Sequence, residues 1–182
     1  MPSDPRVSIV GAGNWLLSYD RVGPRVLEQI DGRYGEDVAT CDIGCAGLAL
    51  IDHLHGQQLL IIVDACIYGG APGEVIATTP DLERPPSRET SVHQIGPIEA
   101  LVVVKHLYPE RLPQRVLLLL VETEGMDDTT EAVACERVIA HLDRELDAWR
   151  RQREHGAESS TEVPNEPLSS STTAEQPERQ GP

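Results

Sequence analysis

A chain of 182 residues, 40% of them apolar, can build one domain with a sizeable core and still spare a tail. Its net charge of -15 and its scattered Arg residues exclude a nucleic-acid role, because neutralising phosphates takes clustered Lys and Arg. No apolar run reaches the ~20 residues of a membrane-spanning helix, and the opening MPSDPRVSIV has no basic region leading into an apolar stretch, so no membrane partner and a cytoplasmic location are expected.

In chain order, residues 6–10 read as a first strand ending at Gly11. The segment GAGNWLLSYD follows, in which Asn14 and the Trp15-Leu16-Leu17 run are expected to brace the loop against the domain. Residues 22–30 form a helix with Val22, Val26, Leu27 and Ile30 at helical spacing and Pro24 tolerated in its first turn. A second strand is expected over 37–43 and a short helix over 48–54, ending at Gly56. LLIIV, residues 59–63, is a continuous apolar run of the kind a strand buried on both faces requires, and it stops on Asp64.

Residues 73–79 read as a strand near an edge and 81–90 as a polar loop. A helix over 95–107 and a buried strand over 115–121 come next. The longest helical pattern is 129–150, with Val133, Val138, Ile139, Leu142 and Leu146 on its apolar face. Strands alternating with helices define an α/β fold: a three-layer α/β/α sandwich around a mostly parallel sheet of about five strands, occupying 1–153. Residues 154–182 turn abruptly to Ser, Thr, Glu and Pro without apolar periodicity, the composition of a disordered tail.

Ligands of open α/β sheets collect beyond the carboxyl ends of the strands. Asp20, in the loop after the first strand, Asp64, at the end of LLIIV, and His93, in SVHQIG before a helix, all fall near such ends. Taken singly, each fits a structural role: Asp20 as a cap on the helix near Val22, Asp64 bonded to loop amides, His93 preceding its helix. Together they make a mixed oxygen and nitrogen donor set that suits a borderline divalent metal. A dinucleotide site fails because GAGNWL lacks the third glycine and Asp42 only loosely meets the acidic position of the second strand. No Gly-Lys-Ser/Thr follows the turn and no Gly-x-Ser-x-Gly elbow occurs. The cysteines Cys41, Cys45, Cys66 and Cys135 lack paired zinc-site spacing and read as structural thiols, with Cys66 as nucleophile and His93 as base a further option.

GAGNWLLSYDRVG, IIVDA and SVHQIG, in this order and spacing, resemble the three signature regions of the [NiFe] hydrogenase maturation proteases, over residues 6–150. The resemblance implies an endopeptidase that removes the C-terminal extension of a hydrogenase large-subunit precursor, acting as a monomer. It implies that Asp20, Asp64 and His93 bind nickel, supplied by the substrate and replaceable by another divalent ion, and act in catalysis through it. CDIGCAG resembles the family's substrate-recognition loop, which assigns Asp42, Gly44, Cys45 and Gly47 to that role. Two segments depart from the pattern: at the turn Tyr19 replaces the first member of an acidic pair, and in the recognition loop Ile43 and Cys45 replace Gly and Thr. These departures motivate an alternative, a non-proteolytic nickel-sensing chaperone of hydrogenase assembly on the same fold.

Overall fold

The computed structural model describes residues 5–83 and 95–159. The chain divides into two compact units, Met1–Arg144 and Glu145–Pro182. The first contains the whole sheet. Strands β1 (Val7–Gly11), β2 (Val38–Asp42), β3 (Leu59–Cys66), β4 (Val75–Thr78) and β5 (Val116–Glu122) lie in the order β2-β1-β3-β5-β4. All pairs are parallel except β4 with β5, so the expected edge strand is present and runs antiparallel.

The side-chain period of two sorts each central strand into two apolar faces. Val10, Leu60, Ile62, Val116 and Leu118 pack with Leu50 of a 3-10 helix (Gly47–His53), with Leu54 just after it, and with Ala100, Leu101 and Val104 of helix α2 (Pro97–Leu107). The opposite face carries Val7, Ile9, Leu59, Ile61 and Val63, all buried, and receives helix α1 (Val22–Gln29). Gly23 makes that docking possible. A Cβ there would sit 2.3 Å from the Ala12 carbonyl oxygen and 2.7 Å from that of Val63, so the first turn of α1 rests directly on the ends of β1 and β3.

Helix α3 (Asp128–Ser159) runs past the expected boundary at residue 153; residues 160–182 of the expected tail lie outside the described residues. Its buried stripe within the first unit is Glu131, Ala134, Cys135, Val138 and Leu142, at the i, i+3, i+4, i+7, i+11 spacing of one helical face. Val133, expected in that stripe, is instead exposed. Five positions from Val138, it lies about 140° around the helix from the stripe, while the buried carboxylate of Glu131 on the stripe is reached by Arg21 with Nη2–Oε2 at 2.6 Å. In the second unit, the Arg153 guanidinium lies 4.8 Å from the Trp149 ring centre.

Candidate functional site

The turn after β1 is closed by its own backbone. Asn14 N–H donates to the Asp20 carbonyl at 2.7 Å, Leu17 N–H to the Asn14 carbonyl at 3.0 Å, and Asp20 N–H to the Leu17 carbonyl at 2.9 Å. The Asn14 side chain accepts from Leu16 N–H at 2.9 Å. Gly13 is required at the crossing point: its φ is +133° and a Cβ would collide with the Asp20 carbonyl oxygen at 2.0 Å. The expected brace is therefore half right. Asn14 holds the loop, whereas Leu16 is 91% exposed and Trp15, 43% exposed, ties the loop to Asp42 through its indole N–H rather than by apolar packing.

Asp20 is not a helix cap. Arg21 occupies the N-cap position of α1, and no side chain caps that end. The Arg21 guanidinium turns to Glu131 and to Asp128, at 2.6 and 2.8 Å. Its pairing pins the loop's exit to α3 and leaves the Asp20 carboxylate without a cation from its neighbour. The carboxyl of Asp20 is raised by burial, with the Asn14 amide pulling the other way.

Asp64 does not end its strand. β3 continues through Cys66, and Asp64 pairs with Leu120 of β5. A carboxylate near the end of a parallel strand leaves the ladder intact, because pairing is a backbone matter. Its side chain shares the face of Leu60 and Ile62, where burial pushes its pKa to about 6; the Ala65 amide lowers it, and the Asp20 charge raises it further. β1 and β3 are adjacent, and Ala12 N–H donates to the Val63 carbonyl at 2.9 Å, so Asp20 and Asp64 stand at neighbouring strand ends. Both are only partly buried and open to a ligand.

The third expected ligand, His93, lies outside the described residues. Ile95 and Gly96 are described, and both touch Gly47: a Cβ on that glycine would sit 2.3 Å from the Ile95 carbonyl oxygen. The loop beginning at Asp42 therefore meets the entry to α2. Within the loop, Asp42 Oδ1 accepts from Gly44 N–H at 2.8 Å and Oδ2 from the Trp15 indole N–H at 3.3 Å; Gly44 takes a φ of +54°, and Cys45 is exposed. Among the described residues no group of three His, Cys, Asp or Glu side chains converges on one point; the acidic pair supplies two oxygen donors.

Two features have no signal in the sequence. Cys41 Sγ lies 3.0 Å from His53 Nε2, a thiol–imidazole pair whose members are far from any cysteine–histidine motif; burial and the Asp42 charge push this thiol up. Glu122, the last residue of β5, is fully buried and accepts from the backbone N–H groups of Tyr68, Gly69, Gly70 and Glu124 at 2.8 to 3.0 Å. Those amides hold its carboxyl below the usual range and fix the loop after β3.

The fold is an open, mostly parallel α/β sheet with paired carboxylates beyond its carboxyl edge, the place where such sheets collect ligands. The family model for hydrogenase maturation proteases matches residues 24–145, and the chain belongs to that family. It is 33% identical to the hydrogenase expression/formation protein HoxM of Azotobacter vinelandii over 131 residues, 68% of this chain and 61% of that one. With the hydrogenase 2 maturation protease of Escherichia coli K12 it shares 30% identity over 151 residues, 75% of this chain and 90% of the other. The chain spans about three fifths of the length of the HoxM and HupD relatives from Azotobacter vinelandii and Thiocapsa roseopersicina. The solved structure of the hydrogenase maturating endopeptidase HybD from E. coli superposes with a TM-score of 0.58 at 25% identity, covering 77% of this chain and 93% of that one. The mostly parallel five-stranded sheet flanked by helices is thus the family fold. No described helix is long and apolar enough to cross a membrane.

Proposed function

We propose that this protein is an endopeptidase that removes the C-terminal extension of a [NiFe] hydrogenase large-subunit precursor, and that it recognises nickel already carried by that precursor. The observation that carries the reading is the Asp20–Asp64 pair at adjacent strand ends, in a chain of the maturation protease family. Among the described residues each carboxylate is engaged by a single backbone amide, Asn14 for Asp20 and Ala65 for Asp64, and Asp20 caps no helix.

In this reading the ion is part of the substrate. A divalent cation polarises a scissile carbonyl and activates a bound water. The chain's own contribution is the placement of donors. Asp20 is delivered by the closed Gly13–Asp20 turn and Asp64 by the rigid β3 ladder, while the loop of Asp42, Gly44, Cys45 and Gly47 borders the approach. His93 supplies the nitrogen donor of the set. The protein works in the cytoplasm as a monomer, where its partner is a protein precursor.

The test is incubation of the purified protein with nickel-loaded and nickel-free precursor, followed by mass spectrometry of the precursor's C-terminus. Trimming of the loaded form only is the expected result. Trimming of both forms alike would remove nickel from the reading, and trimming of neither by a protein that still binds the loaded form would point to the chaperone alternative.

A further inference from the structure

A cavity of about 320 Å³ opens between α1 and the edge strand β2, lined by Trp15, Leu27, Glu28, Asp31, Cys41 and Asp42, with Pro24 and Thr40 completing it. We infer that this cavity binds the guanidinium of an arginine presented by the protein partner on an extended segment. The inference rests on the proposed reading only in taking the partner to be a protein.

The walls have the chemistry of a cation pocket. Three carboxylates border it, and an indole that is 43% exposed contributes a π face. Asp42 holds the edge of that indole through Trp15 Nε1–Oδ2 at 3.3 Å, which orients the ring without consuming its face. Glu28 has a distant neighbour in Arg25, at 3.8 Å, and Asp31 makes no hydrogen bond or ion pair among the described residues. Among the described residues no cationic side chain lines the cavity, although Arg residues neutralise acids elsewhere: Arg21 with Glu131 and Arg33 with Asp143. A planar guanidinium suits this arrangement better than an ammonium, because it can stack on an indole while its edge donates to carboxylates.

The position explains how the side chain arrives. Thr40, Cys41 and Asp42 belong to β2, which pairs only with β1 and leaves its outer edge unpaired among the described residues. An extended segment lying along that edge delivers alternate side chains to one face. Asp42 also begins the loop that meets the entry to α2, so a cation seated here sets the register of the segment relative to Asp20 and Asp64.

The test uses the full chain and two synthetic peptides, acetyl-Gly-Arg-Gly-Gly-amide and its citrulline counterpart, which keeps the shape and removes the charge. The Trp15 and Trp149 indole N–H resonances are followed by NMR. The arginine peptide is expected to shift the Trp15 signal saturably, while citrulline does not. Combined Glu28→Gln and Asp31→Asn should weaken arginine binding about three- to tenfold, the scale of partly exposed ion pairs. Glu136→Gln, on α3 and outside the cavity, should leave it unchanged. Equal responses to the two peptides, or equal weakening by the Glu136 variant, would overturn the pocket and assign the effect to the chain's general acidity. Normal precursor trimming by a variant that has lost arginine binding would remove the pocket from recognition and leave the protease reading standing. Saturable arginine binding by a chain that trims nothing would do the reverse.

Discussion

Asp64 on β3 and Glu122 on β5 lie on paired strands, two rungs apart in the register, and their environments are opposite. Glu122 accepts four backbone N–H groups and is held below its ordinary pKa. Among the described residues Asp64 has only the Ala65 amide; it is desolvated, feels the Asp20 charge, and is pushed up to about 6. The contrast separates two uses of one functional group. A carboxylate whose lone pairs are filled by the backbone is a structural staple. One that is partly buried yet under-bonded is kept at an energetic cost, which marks it as available to a ligand.

The largest effect should come from exchanging the two for amides and measuring precursor trimming. Asp64→Asn is expected to reduce the rate more than about a hundredfold, beyond the 10- to 100-fold typical of groups that only orient a metal ligand. Glu122→Gln should keep trimming within about tenfold of the parent, its effect passing through the loop it fixes. Comparable losses in both variants would erase the distinction.

Stability should move the opposite way. The Asp64 carboxyl titrates near 6 in the fold against 3.8 when exposed, so between these values the folded chain binds more protons than the unfolded one. Stability therefore falls as pH rises through that window, and at pH 8 the charged group costs about 3 kcal/mol. Asp64→Asn should recover about 2–3 kcal/mol in urea unfolding at pH 8 and nothing at pH 3.5, below both values. Glu122 carries the opposite sign: its lowered pKa supports the fold above its ordinary value of 4.5 and is lost as pH falls. Glu122→Gln should thus destabilise at pH 7, with the difference shrinking in acid.

A more local consequence concerns the loop after β3. Removing the Glu122 charge weakens acceptance from Tyr68, Gly69 and Gly70, whose amides have no sheet partner to fall back on. Their hydrogen exchange should quicken in Glu122→Gln while β3 itself, paired on both sides, keeps its protection. Uniform loss across the sheet would show that Glu122 supports the whole fold.

Much of this architecture is legible in the sequence because the apolar runs over 59–63 and 115–121 and the spacing in α1 leave little choice of element. The departures have physical causes. Asp64 reads as a strand terminator only if polarity ends a strand, whereas the backbone ladder runs on to Cys66. Val133 reads as part of the buried face from its apolarity, yet five positions from Val138 it lies about 140° around the helix, off the stripe. Trp15 and Leu16 read as braces from their apolarity, yet the turn closes through its backbone and leaves both outside. At the site, the neighbouring strand ends of Asp20 and Asp64 follow from the order of the elements. The roles of Glu122 and of the Cys41–His53 pair emerge only once the loops are folded, since no local spacing announces them.

The smallest expected effect concerns Asp64 itself. Burial is the main cause of its elevated pKa, and the Asp20 charge is the weaker of the two raising influences. Asp20→Asn removes that charge and keeps the Asn14 N–H bond to the Asp20 carbonyl, and the new amide oxygen can still accept from the Asn14 amide that acts on the carboxyl in the parent. The Asp64 carboxyl carbon, followed by NMR across pH, should then titrate lower than in the parent and still above the ordinary value of 3.8. A return all the way to 3.8 would make the pair a coupled acid dyad, in which repulsion rather than desolvation sets the protonation state. No movement would mean that the two carboxylates do not sense one another, and a single ion spanning both would lose its support.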